Sequence, residues 1–409
     1  MSRSFHVAYL LILVAPGLAP SATAIASDTR VVQEVVLIRH GIRSPTAAPE
    51  KLAIYADQPW PAWDVAPGQL TAHGAALMRS WGTWYREHLT ALNLTATGCD
   101  NSIKLIADST PRNRDSAAAL WQGFAPGCHT TFDALPPDQP DPLFQGVRVH
   151  SNANDESEPS LPSAAMAELQ KILLGCNDQA CLNQASAQGK QALLMQKPAK
   201  ALKLAGTLAE NLMLQYVQGM PLAQVGWGRA DAAVIERIIV LHNASFAAEM
   251  HASDAPVSRD GNLLAHVAAT LATTAKQSSS LPSLATSGER SVVLVGHDTD
   301  LAAQASLLQL NWHNPAQPDD YTPATALIWQ LLERHGQYRV RMLVVQPTLT
   351  ALRAGNVQAR HALVITTLHL PACDDQSDCP LSRFTRLVAN AVPAAFVAPA
   401  SGNEPPAQP

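Results

Sequence analysis

Charge is scarce in this chain: Asp, Glu, Lys and Arg make up 15% of it, and aromatic residues only 5%. Neither sign dominates, because 28 basic residues stand against 33 acidic ones for a formal net charge of −5. A nucleic-acid binder would carry a basic balance or a Lys/Arg stripe, and neither is present. With 47% apolar residues and so little net charge, wholesale disorder is excluded too. Long apolar runs are also missing: beyond the N-terminus, none approaches the roughly 20 residues that span a bilayer without charge or Pro. Walker A, HExxH and GxSxG patterns are absent. Gly226-Trp227-Gly228 lacks the third glycine and the preceding strand of a dinucleotide loop. No CxxC occurs, and no His stands at ligand spacing beside a close cysteine pair, which argues against a zinc site.

What is present begins with an address. Arg3, the apolar run Val7 to Val14 and the small-residue sites at 22–24 and 24–26 predict a cleaved secretory signal over residues 1–26. No membrane association is expected after cleavage, and the location is periplasmic or secreted. The six cysteines agree with an oxidising compartment. Six thiols allow fifteen connectivities. Cys176 with Cys181 and Cys373 with Cys379 are close pairs, leaving Cys99 with Cys128 as the simplest remainder. Residues 398–409, Pro-rich and almost uncharged, predict a disordered tail.

A length of 409 residues suggests two or three folding units. The near-continuous apolar run at 31–38 (VVQEVVLI) suits a strand buried on both faces, as do 103–107 and 291–295, with later strands at 340–345 and 363–370. Helical spacing appears over 71–89, with Thr71 as a cap, and over 113–124. The middle reads as helices at 164–174, 199–218, 231–250 and 262–275, and a further helix is expected at 301–310. The expectation is an α/β catalytic domain made of residues 27–150 and 286–397, interrupted by a helical cap at 151–285.

Chemistry concentrates at strand ends. Arg39-His40-Gly41-Ile42-Arg43-Ser44-Pro45 follows the first strand directly. Strand C-termini are where α/β sheets place ligands. Arginine forks suit phosphate oxygens, and a His between two arginines is kept neutral and nucleophilic. Gly41 permits close backbone approach or positive φ. Far away, Gly296-His297-Asp298-Thr299 follows another buried strand. Asp298, Thr299 and Asp300 are suited to cap the next helix, or Asp298 is a general acid with His297 on a phosphate oxygen. Arg112, with Arg114 two residues on, opposes the macrodipole at a helix start and is a third candidate.

These segments resemble the histidine acid phosphatase family, in its bacterial branch of phytases and glucose-1-phosphatases. The match runs in family order through RHGIRSPT (39–46), WPAWDVAPGQLTAHG (60–74), IADSTPRNR (106–114), PDPLF (140–144), QGMPLAQVGWGR (218–229), LHNASF (241–246) and VGHDTD (295–300). The resemblance implies a three-layer α/β sandwich of phosphoglycerate-mutase type with a helical domain beside it, no metal and no cofactor. It implies His40 as nucleophile, Asp298 as acid and then base, and Arg39, Arg43, Arg112 and His297 as the phosphate clamp. Thr46 and Thr299 fall in the substrate pocket, and the six cysteines are consistent with the pairing above. The expected partner is a small phosphate monoester met by a monomer, with an acidic optimum because Asp298 must be protonated. Two positions depart: Ala47 stands where phytases have Lys, and Asp300 where the family usually has Asn. The competing readings are a non-catalytic exported phospholigand-binding protein on the same scaffold and, less favoured, a cytoplasmic mutase of the wider superfamily.

Overall fold

The computed structural model describes residues 29–95, 99, 102–146, 159–251, 254–286, 288–373 and 378–398. The expected signal segment, the 150/151 boundary and all but the first residue of the expected tail lie outside them. In chain order the main elements are β1 (Arg30–Arg39), α1 (Ala72–Ala91), β2 (Ile103–Ala107), α2 (Pro111–Phe124), α3 (Ser163–Leu174), α4 (Gln179–Ala187), α5 (Pro198–Val217), α6 (Ala232–Ile238) and α7 (Val240–Glu249). They continue through α8 (Ala255–Thr274), β3 (Ser291–Gly296), α9 (Asp298–Leu307), β4 (Ala326–Arg334), β5 (Gln337–Pro347), β6 (Leu363–Leu368), β7 (Asp378–Pro380) and α10 (Leu381–Ala391).

The strands form one mixed sheet in the order β2-β3-β1-β4-β5-β6, with β7 pairing β5. β3 runs parallel to both β1 and β2, with Arg39 opposite Gly296 and Ala107 opposite Val295. The other pairings are antiparallel. β1 shows why the sheet is covered on both faces. Its alternate residues Val36 and Ile38 enter one apolar core, while Val35 and Leu37 enter another. Period-2 geometry sends successive side chains to opposite faces, so an uninterrupted apolar run demands a layer on each.

The first face is covered by α1 and α2 through Leu77, Trp81 and Leu120. Thr71 caps α1, its hydroxyl accepting from the Gly74 amide at 2.9 Å. The second face is covered by α8, α9 and α10 through Leu263, Val267, Leu301 and Phe384. Helix, sheet and helix thus make three layers. Helices α3 to α7 stand between β2 and β3 in sequence, and their apolar residues continue the first core.

Several expectations shift. α8 lies inside the 151–285 stretch expected as a helical cap, yet it packs on the sheet, because its apolar stripe meets Leu37 and Leu294. It also starts seven residues earlier than its periodicity suggested, Pro256 being tolerated in a first turn. The helix expected over 231–250 is interrupted at Ile239. β4 (ALIWQLLER) was not anticipated. Its buried run has no period, and periodicity alone does not separate a buried strand from a buried helix. Disulfides join Cys99 to Cys128, Cys176 to Cys181 and Cys373 to Cys379. Among the described residues, no helix is long and apolar enough to cross a membrane.

Candidate active site

Three parallel strands ending side by side bring the distant motifs together. His40 leaves β1 and its amide donates to the Gly296 carbonyl at 3.0 Å. Asp108 leaves β2 and its amide donates to the Val295 carbonyl at 3.0 Å. His297 and Asp298 leave β3. The turn after β1 lies against α1 so closely that a Cβ on Gly41 would sit 2.7 Å from the Gly74 carbonyl oxygen. Close approach, rather than positive φ, is what requires glycine there.

His40 is 1% exposed. Its Nδ1 lies 2.8 Å from the Gly41 carbonyl oxygen, which can only accept, so Nδ1 carries the proton and Nε2 keeps its lone pair. Burial, then the charges of Arg112, Arg39 and Arg43, hold the imidazole well below its ordinary pKa. A neutral, singly oriented imidazole is a nucleophile. The His297 ring meets it edge to face at 5.7 Å.

His297 is oriented by a residue the sequence reading did not single out. Its Nε2 lies 2.8 Å from Asp108 Oδ2, a carboxylate oxygen, so Nε2 is the protonated nitrogen. Asn113 donates to the same oxygen at 3.0 Å, and Arg112 Nη2 lies 3.2 Å from His297 Nδ1. Burial opposes ionisation of Asp108, but the hydrogen bond and charge of His297 hold it well below the usual carboxylate range. Asp108 follows β2 as His40 follows β1, and that position was the available signal.

The cap and acid readings of the 298–300 segment divide between two residues. Asp300 does the capping, its Oδ2 accepting from the His297 amide at 2.7 Å, which starts α9 three residues before the predicted point. Asp298 is left to face the clamp, its Oδ2 lying 2.7 Å from Arg39 Nη2. Burial disfavours its charge, but Arg39 first and Arg43 next hold it far below the usual range. The expectation of a protonated Asp298 therefore fails for the unliganded site, where the Arg39 guanidinium beside it favours the ionised carboxylate.

Helix α5 supplies a second unanticipated carboxylate. Glu210 pairs with Arg39, and both its oxygens lie 3.1 Å from Arg43 Nη2. It is 6% exposed among buried apolar neighbours, an anomaly legible in the Leu208–Leu214 run. His242 on α7 stands near Glu210 and Asp298, held by Asp319 at 3.0 Å. Those three ligand atoms are close enough for a small cation, but Arg39 already bonds both carboxylates and supplies the positive charge.

A cleft of about 520 Å³ opens on His40, Arg43, Arg112, His297, Asp298 and Thr299. Arg259 from α8 also lines it and donates to the Thr299 hydroxyl at 3.3 Å. No sequence pattern marked Arg259. Thr46 is exposed and outside the lining, beside Gly68 at the rim. Arg114 is turned away, bonding the Leu135 carbonyl at 2.7 Å and lying over the Phe132 ring. One nucleophilic imidazole, three guanidiniums and a carboxyl group around one cleft form a constellation for a tetrahedral oxyanion.

Comparison with known proteins agrees with this geometry. Residues 30–238 match the family model of the histidine phosphatase superfamily, branch 2. The chain is 30% identical to phytase AppA of Escherichia coli K12 over 94% of its length and 98% of that protein. It is 25% identical to glucose-1-phosphatase of Salmonella typhimurium over 93% of its length and 98% of that protein. Hafnia alvei phytase in complex with myo-inositol hexakis sulphate superposes with a TM-score of 0.71 at 26% identity, covering 91% of this chain and 99% of that one. Strand-end motifs in family order, a family model matching half the chain and relatives aligned along nearly all of it make this protein a member of the histidine phosphatase superfamily, branch 2.

Proposed function

We propose that the protein is an exported acid phosphatase that hydrolyses small phosphate monoesters through a phosphohistidine at His40. The tautomer carries this reading: Nδ1–H is committed to the Gly41 carbonyl, so the Nε2 lone pair is free beside the arginines. In the first step Nε2 attacks phosphorus, the bond from phosphorus to the ester oxygen breaks, and the Asp298 carboxyl proton goes to that oxygen. In the second, water attacks the phosphorus. Its proton passes to Asp298, the N–P bond breaks, and His40 recovers its lone pair with release of inorganic phosphate. Arg39, Arg43 and Arg112 balance the equatorial oxygens, the work a metal does in other phosphoryl transfers. His297, with Nε2–H held by Asp108, accepts from Arg112 at Nδ1 and so holds that guanidinium for the phosphate.

Asp298 acquires its proton from the same balance. A bound phosphate dianion offsets the guanidinium charges that otherwise keep the carboxyl ionised, so substrate binding favours its protonation. Working at acid pH follows. The catalytic unit we assign is 27–150 with 286–397, joined by α8 as part of its outer layer. Export rests on the 1–26 signal pattern and the three disulfides. We take the protein as a monomer.

Ala47 stands where phytases have Lys, and the loss of that cation favours sugar and aryl phosphates over inositol hexakisphosphate. The test is acid-quench trapping of labelled phosphate, with turnover of glucose 1-phosphate, an aryl phosphate and phytate compared in wild type and His40→Ala. Trapped label and turnover in wild type, both lost in the variant, are expected, with phytate the slowest substrate. Full turnover in His40→Ala overturns the mechanism, and stoichiometric binding without turnover reinstates a phospholigand-binding role. A strong phytate preference overturns the substrate assignment.

A further inference from the structure

Beneath the His297–Asp298 turn lie two carboxyl groups that the mechanism does not use. Asp260 on α8 and Asp300 on α9 are both fully buried. Asp260 Oδ2 accepts from Gln304 Nε2 at 2.8 Å, and Asp300 Oδ2 accepts from the His297 amide at 2.7 Å. Their second oxygens, Asp260 Oδ1 and Asp300 Oδ1, have no partner, and neither does the nearby Gln304 Oε1. Three buried acceptors on the packed helices α8 and α9 lack a protein donor, and a proton on a carboxyl group supplies one.

The surroundings are apolar. A Cβ on Gly296 would lie 2.4 Å from Asp300 Oδ2, 3.2 Å from Phe144 and 3.3 Å from Leu37, so the carboxyl group rests among side chains that cannot solvate it. The charged groups acting on the pair are Arg259 on α8, which donates to Thr299, and His297 at the start of α9. Among the described residues neither carboxylate forms an ion pair, and two buried carboxylates without one do not both ionise.

We propose that Asp260 and Asp300, buried where α8 packs on α9, hold at least one proton between them, and that this protonated pair positions the His297–Asp298 turn. Burial pushes Asp260 up to about 8, and burial followed by the Asp260 charge pushes Asp300 well above the usual range. The neighbours of the pair in sequence, Arg259 and Thr299, line the cleft from opposite helices. Loss of the proton sets two negative charges against each other and forces α8 from α9, which spoils the cleft as pH rises. Asp300 thereby receives a role where the family usually has Asn: it makes the same cap but titrates.

The test compares wild type with Asp260→Asn, whose amide oxygen keeps the Gln304 bond and whose side chain does not titrate. Infrared spectra near pH 6 are expected to show a buried protonated-carboxyl band in wild type that the Asp260→Asn, Asp300→Asn double variant removes. A wild type without that band overturns the proposal whatever the activity does. The folded pair holds a proton that the unfolded chain has lost above about pH 4, so wild-type melting temperature falls from there toward about pH 8. Asp260→Asn should fall less. Its kcat should equal wild type near pH 5, with the alkaline limb of the profile moved up by about one unit. Superimposable activity and melting profiles overturn the proposal. Only the activity profile rests on the phosphatase reading; the infrared and melting results stand or fall without it.

Discussion

Arg39 Nη2 lies 2.7 Å from Asp298 Oδ2, so one guanidinium of the proposed phosphate clamp restrains the carboxyl group we assign as proton donor. In the proposed mechanism, binding and acid catalysis are coupled through this single buried cation. An incoming phosphate draws on the charge of Arg39, and the carboxyl group it releases becomes easier to protonate.

Asp298→Asn removes the proton donor and keeps the shape. Hydrolysis of glucose 1-phosphate, whose leaving group is poor, should fall about 10²- to 10⁴-fold, while an activated aryl phosphate loses much less. The wild-type kcat should decline as pH rises from mildly acid values, and that decline should be shallower in the variant. Equal slowing of both substrates would contradict the acid role.

Glu210 balances Arg39 and Arg43 in the unliganded site and must yield to phosphate. Glu210→Ala leaves two buried cations with less compensation and should destabilise the fold by about 3–5 kcal/mol, read from denaturant unfolding. Glu210→Gln should be milder and should lower the inhibition constant for inorganic phosphate, since the competing charge is gone. Unchanged inhibition would show that the clamp does not feel Glu210.

Asp108→Asn should free the His297 ring to adopt the wrong tautomer and cost about a hundredfold in kcat, because small displacements at a reacting centre are amplified. The folded-state pKa of Asp108 is depressed from the ordinary 3.8. Its contribution to stability is thus present above that value and lost as pH falls through the folded one. Melting temperatures of wild type and variant should differ at neutral pH and converge in strong acid. A constant gap would remove the His297–Asp108 pair from the account.

The candidate site was legible because Arg39, His40, Arg43, His297 and Asp298 stand at or just beyond the ends of buried apolar strands within short motifs. The three-layer arrangement was legible in VVQEVVLI, which leaves no polar face. Glu210, Asp108 and Arg259 were harder to see. Each is a single charged residue whose meaning depends on what faces it across the fold, and one sequence carries no pairing information. β4 escaped for a different reason, since complete burial erases the alternation by which a strand is recognised. Asp300 was noticed as an oddity, but Asp260, its partner through helix packing, gave no local sign.

β3 inserts between β1 and β2, although the chain makes it after both and after the whole helical segment. A nascent polypeptide consequently owns its nucleophile long before it owns the acid or the second histidine. A chain that stops short of β3 lacks both His297 and Asp298, and we expect it to be inert.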